Sequence, residues 1–104
     1  MPNFSSPFSG TEYKRKLSKT ELIRAIRFSI ASEFEAIQIY EQISESITDK
    51  NAQKILEEIV DDEKVHVGNF MKLLYIIEPV EKEFYKEGMQ EAKDLLDIED
   101  EIQK

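Results

Sequence analysis

The chain has 104 residues, no cysteine, 35% charged side chains and a net charge of −8. That length suits one small domain whose core is too limited to hold it firmly alone, so oligomerisation is the expected remedy. The missing cysteines exclude thiolate metal sites, redox dithiols and a secreted disulfide scaffold, and the negative charge argues against a nucleic-acid surface. No apolar run approaches a membrane span and residues 1–17 do not read as a secretory signal, so no membrane partner is expected, and the lack of cysteine leaves a reducing compartment, the cytoplasm, as the default location. The charge is unevenly placed: residues 1–27 carry six basic and two acidic side chains, residues 78–104 four basic and ten acidic.

Residues 1–17 contain Pro2, Pro7 and Gly10 before any helical periodicity begins, and are read as a flexible N-terminal arm. A first helix is predicted over residues 18–47, with Ser18 as N-cap and Glu21 completing a capping box. Thr48 and Asp49 make the turn, and a second helix follows over residues 50–77, stopped by Pro79. Proline suits a first helical turn, so a third helix is expected to start there, with Val80, Phe84 and Met89 on one face. Gly88 weakens that pattern. The chain thus divides into the arm (1–17), a helical domain (18–88) and a charged C-terminal helix or linker (89–104). The expected fold is all-α: a long antiparallel two-helix hairpin plus a short third helix, with a second copy completing a four-helix bundle.

Positions three and four apart along the first helix read Ile23, Ile26, Ile30, Glu33, Ile37, Tyr40, Ser44 and Ile47. Along the second they read Ala52, Leu56, Ile59, Glu63, His66, Phe70, Leu73 and Ile77. Both are packing seams, interrupted by Glu33, Glu63 and His66. The Val60, Val67, Leu74 row and Met71 are read as packing too. An ionised carboxylate taken out of water is normally paired, neutralised or bound to metal. A turn centred near Asp49 brings the interruptions together, because Glu33 lies sixteen residues before it and Glu63 and His66 fourteen and seventeen after. The mean axial level of Glu63 and His66 matches that of Glu33 to within about one residue, or ~1.5 Å. Glu63 and His66, three apart, share one helical face. Glutamate fills 16 of the 104 positions, so Glu-x-x-His alone is a weak signal, and the shared level with a third carboxylate carries the reading.

Di-iron carboxylate bundles use a glutamate from each of two helices and a Glu-x-x-His pair from each of two others. This chain has one of each. Two copies related by a two-fold axis supply four carboxylates and two imidazoles, and four negative charges balance two divalent cations. Hard oxygen donors with one imidazole per metal favour iron or manganese over the sulfur-loving metals, with Mn, Zn or Ca as substitutes for Fe. Glu63 is the candidate bridging ligand. Two adjacent ferrous ions can each give one electron to the same oxygen molecule. Around the three, Tyr40 is a candidate hydrogen-bond donor behind the ligands and Asp62, four before His66, a candidate to orient the imidazole.

The stretch SEFEAIQIYEQISESITDKNAQKILEEIVDDEKVHVGNFMKLL resembles the encapsulated ferritins, two-helix ferritin-like proteins housed inside encapsulin shells, over about residues 20–85. Its marks are Glu33-x-Glu35-Ala36 with Tyr40, and Asp62-Glu63-Lys64-x-His66. The resemblance implies a ferritin-like four-helix bundle formed by a homodimer, with Glu33, Glu63 and His66 as ferroxidase ligands across the dimer interface. It also implies a ring-shaped decamer, oxidation of Fe(II) by O₂, and storage of the iron mineral by the surrounding shell in a cytoplasmic nanocompartment. The chain departs from the family at Ser32, where a glutamate is frequent, and at Ile39, where a tryptophan is. That leaves Glu35 for an auxiliary metal-uptake site. The final residues carry no short apolar localisation peptide, so the archaeal form is expected, fused to the N-terminus of the encapsulin shell protein with residues 89–104 leading into the linker. Two rival readings share these residues: a non-enzymatic helical assembly module whose buried polar groups only fix register, and a rubrerythrin-like di-iron peroxidase.

Overall fold

The computed structural model describes residues 15–96. Three helices follow one another: α1 (Lys19–Glu45), α2 (Lys50–Ile77) and α3 (Pro79–Leu96), with no strand among the described residues. The all-α hairpin with a third helix is therefore the fold. Most of the expected arm, residues 1–14, lies outside the described residues, as do residues 97–104 of the expected C-terminal segment.

Each boundary has a local cause. The Ser18 hydroxyl accepts the Glu21 N–H at 3.2 Å while the Glu21 carboxylate accepts the Ser18 N–H at 2.9 Å, the reciprocal box that satisfies two orphan donors. Arg15 adds a two-pronged pair to the same carboxylate, both contacts at 2.9 Å. α1 stops at Glu45, two residues short of the expected end. There the Ser46 hydroxyl donates to the Gln42 carbonyl at 2.7 Å and the Ser46 N–H returns to Ile43. The Gln53 amide, one turn into α2, donates to the carbonyls of Ser44 and Ile47 at 3.2 and 2.7 Å. One terminal carbonyl of α1 and one of the turn are thus satisfied by the next helix, which makes a short turn possible. Asp49 caps α2 by accepting the Ala52 N–H at 3.0 Å. At the far end Glu78 leaves the helical region, φ −132° and ψ 79°, as the residue before a proline tends to do. α3 then runs unbroken through Gly88 to Leu96.

The hairpin helices are each about 40 Å long at ~1.5 Å per residue. Their buried apolar core is small: Ile23, Ile26, Ile37, Val60 and Leu74, with Ile30, Phe70, Ile77 and Tyr85 packed on the Ile23–Ile26–Leu74 end. On α1 the expected seam is the buried face. On α2 the face laid against α1 is rotated: Val60 and Leu74 are buried, whereas His66 and Leu73 of the expected seam row are exposed. The apolar surface of α2 is two rows wide, and the hairpin itself covers only one. Ile39, Ile43, Ile55 and Leu73 remain 40% or more exposed.

Candidate metal centre

Glu33 sits near the middle of α1, and Glu63 and His66 near the middle of α2. The antiparallel hairpin sets them side by side, as the level count predicts. One donor atom from each of the three lies within 4.8 Å of the other two. The His66 Nδ1 is 3.7 Å from Oε2 of Glu33 and 3.7 Å from Oε2 of Glu63. Those separations are too long for hydrogen bonds. They are close to the spacing of donors around one cation bound at about 2.0–2.6 Å.

Burial decides how the group must be satisfied. The side chains of Glu33 and Glu63 are 17% and 19% exposed, His66 49%. Oε2 of Glu33 is buried and has no hydrogen-bond partner. Leaving such an acceptor unpaired costs about 1–3 kcal/mol, more for a charged one. A divalent cation removes that cost directly, and two carboxylates with one imidazole are hard donors of the kind iron and manganese take. The residues present therefore fit a metal. The three lie along one flank of the hairpin, with Tyr40, Leu56, Ile59 and Phe70 on the same side.

The other named positions behave differently. Tyr40 is partly buried but makes no hydrogen bond to the three within the chain, and Asp62 is exposed without reaching His66. Glu35 is exposed and, two residues on, points about 200° around α1 from Glu33. Lys64, beside Glu63 in sequence, turns to the opposite flank and pairs loosely with Glu41 at 3.9 Å.

A second polar group escaped the sequence reading. Glu81, in the first turn of α3, is only 8% exposed and is gripped by the Arg27 guanidinium of α1, whose Nε donates to Oε2 at 3.1 Å while Nη2 donates to Oε1. The Tyr85 phenol donates to Oε2 of the same carboxylate. Arg27 holds the Glu81 carboxyl below its usual range, with Tyr85 helping, and Arg27 is itself raised by Glu81. Burial, then Glu81, pushes the Tyr85 phenol up. Arg27 and Glu81 are 54 positions apart, and no local pattern links residues at that distance. The only cue was an acidic residue at a helix start, which is favourable there anyway.

This fold and donor set define a ferritin-like protein, and the chain belongs to the rubrerythrin family, whose sequence pattern it matches over residues 24–103. It is similar to proteins named for encapsulins. It is 40% identical over 82 residues to a "Ferritin-like-encapsulin shell fusion protein" of Pyrococcus furiosus, covering 79% of this chain and 24% of that one. It is 31% identical over 79 residues to the "Encapsulin nanocompartment cargo protein EncC" of Myxococcus xanthus, covering 76% of this chain and 61% of that one. The chain thus spans about a quarter of the first relative and three fifths of the second. Among solved structures it matches the encapsulated ferritin domain from Pyrococcus furiosus with a TM-score of 0.80 and 36% identity, over 88% of this chain and 94% of that one. Family and donor set agree on a di-iron type of protein.

Proposed function

We propose that the chain oxidises ferrous iron with dioxygen at a two-metal site completed by a second copy of itself. One observation carries this reading: the buried Oε2 of Glu33, with no hydrogen-bond partner, beside Glu63 and a half-exposed His66. One chain offers two carboxylates and one imidazole. Two chains facing each other across a two-fold axis offer the complete set for two ferrous ions, with charges that cancel. The exposed apolar residues Ile55 and Leu73, about three turns before and two turns after His66 on its side of α2, give the second copy a surface to cover.

In this reading iron is the substrate, and each of the two ferrous ions gives one electron to the same oxygen molecule. Glu33, Glu63 and His66 would hold the ions, with Glu63 the bridging candidate, and Tyr40 lies on the surface the second copy would cover. The chain supplies placement and charge rather than acid–base chemistry. Mn, Zn or Ca would compete for the donors, and zinc and calcium bring no electron to the reaction. Relatives named for an encapsulin shell fusion and an encapsulin cargo support a cytoplasmic compartment as the setting, with the shell storing the ferric product. A ring of dimers and a covalent link to the shell protein complete the proposal, the link being supported by a relative named as a shell fusion.

The test is the initial rate of ferrous oxidation in air at sub-stoichiometric iron, for the parent and for Glu63→Ala and His66→Ala. The expected result is a parent rate well above buffer and a loss of at least about tenfold in each variant, the least that losing even a group behind a metal ligand costs. A parent no faster than buffer, or variants as fast as the parent, sinks the proposal. The family match to rubrerythrin supports a second reading, a di-iron peroxidase at the same residues. Anaerobic ferrous protein that reacts faster with hydrogen peroxide than with an equal concentration of O₂ selects that reading instead.

A further inference from the structure

α3 is attached to the hairpin in an unusual way. Its backbone packs against α2 alone, and no Cα of α3 comes within 8 Å of one in α1. It leaves α2 through a single non-helical residue, Glu78, followed by a proline that donates no hydrogen bond. Beyond Tyr85 nearly every residue of α3 to Leu96 is exposed, including Met89, Leu95 and Leu96. What holds its direction is concentrated in the first two turns. The Tyr85 ring rests on the Ile23–Ile26–Leu74 cluster and lies 6.1 Å from the Tyr75 ring, which also carries the Lys82 ammonium at 5.9 Å. Across the gap to α1 the polar bridge is the Arg27–Glu81 fork with the Tyr85 phenol closing it.

We propose that the Arg27–Glu81–Tyr85 cluster is a latch that sets the direction of α3, and that opening it lets α3 swing as a rigid helix about Glu78. The physical grounds are geometric. A fork-to-fork guanidinium–carboxylate pair fixes two orientations at once, which a point contact does not. Glu81 is buried, so it cannot trade Arg27 for water without moving, and a buried carboxylate stripped of its partner is driven outward. With Glu81 outward, the first turn of α3 loses its tie to α1, and the one-residue joint at Glu78 gives little resistance to rotation. The latch thereby controls where Val80 and Phe84, 60% and 64% exposed, are presented. Arg27 and Tyr85 also wall an apolar groove of about 400 Å³ with Ile30, Phe34, Met71 and Leu74, which a swing of α3 would widen.

The latch rests on no metal and can fail independently of the iron reading. Because the chain has no cysteine, spin labels can be placed cleanly at Q42C on α1 and E91C on α3. Labelled chains diluted into excess unlabelled chain report the distance within one copy by pulsed electron resonance. The parent should give one narrow distribution. Arg27→Gln and Glu81→Gln should each shift or broaden it by several ångströms with unchanged helical circular dichroism, and Arg27→Lys, which keeps the charge and loses the fork, should fall between. Distributions in Arg27→Gln and Glu81→Gln that superimpose on the parent overturn the latch. So does broadening that comes with loss of helical signal, since α3 would then be melting rather than swinging.

Discussion

Replacing Glu33 with glutamine keeps the shape of its side chain while removing the charge on the orphaned oxygen, and the amide can donate to Glu63 or His66 close by. Glu33→Gln should therefore raise the stability of the metal-free chain by about 1 kcal/mol, the value of one recovered hydrogen bond. It should also abolish most of the further stabilisation that Mn²⁺ gives the parent. Thermal unfolding with chelator and with Mn²⁺ checks both halves. A variant less stable than the parent under chelator would mean that Glu33 is satisfied by something in the apo chain. At the opposite extreme lies Glu21, held at the surface by partners on every side, whose carboxyl is lowered from 4.5 to about 2 by Arg15 first and the Ser18 N–H second. A depressed carboxyl contributes in full above its ordinary value and loses that contribution as pH falls through its own. The cap is therefore intact at neutral pH and weakens only between about 4.5 and 2. In Arg15→Gln the Glu21 midpoint, followed by carboxyl NMR, should climb toward the ordinary carboxylate range. Salt should shrink the difference, because the pair is exposed. Ser18→Ala should cost about 1 kcal/mol through the lost cap.

Helix by helix, the ends were legible in the sequence and the faces only in part. Ser18 and Asp49 act through hydrogen bonds to residues three positions on, and Pro79 through its restriction of the residue before it, so spacing alone locates them. The facing of α2 is a tertiary choice. Its Leu56–Ile59–Glu63–His66–Phe70–Leu73 row and its Val60–Val67–Leu74 row are both apolar enough to be a core, and periodicity does not say which belongs to the chain's own hairpin. The trio was legible for a related reason: two carboxylates and the only histidine stand at matched distances from one turn, and a hairpin converts sequence distance into height. The Arg27–Glu81 latch has no such turn to measure from. The two rows of α2 make a contrast that unfolding can read. Leu74, 1% exposed, should lose about 2–5 kcal/mol on Leu74→Ala at any protein concentration. Leu73, 40% exposed, should lose little as a monomer on Leu73→Ala, its cost appearing only as weaker self-association. Equal, concentration-independent losses would place both rows inside one chain.

For the molecule as a whole, the same flank carries two opposed demands. Its apolar residues favour a second copy, since the five buried apolar side chains among the described residues are a slender core and Ile55 and Leu73, in line with His66 on α2, are left 40% or more exposed. Its carboxylates oppose that copy, because closing the flank brings four like charges together in a place that water is leaving. A divalent metal reverses the second term without touching the first. Association should therefore be linked to metal: anything that binds the dimer and not the monomer stabilises it by mass action. Sedimentation of the parent should give a dimer, or a larger ring of dimers, at lower protein concentration with Mn²⁺ than with chelator, by at least about tenfold in the dissociation constant, equivalent to ~1.4 kcal/mol. Glu33→Gln with Glu63→Gln should associate readily under chelator, the repulsion being gone, and should respond to Mn²⁺ hardly at all. High salt should strengthen the metal-free parent dimer and leave the double variant unchanged, which separates charge repulsion from a generic effect of salt on apolar burial. Equal association of the parent with and without metal would break the link, and would leave Glu33 and Glu63 as buried charges compensated by something other than a cation.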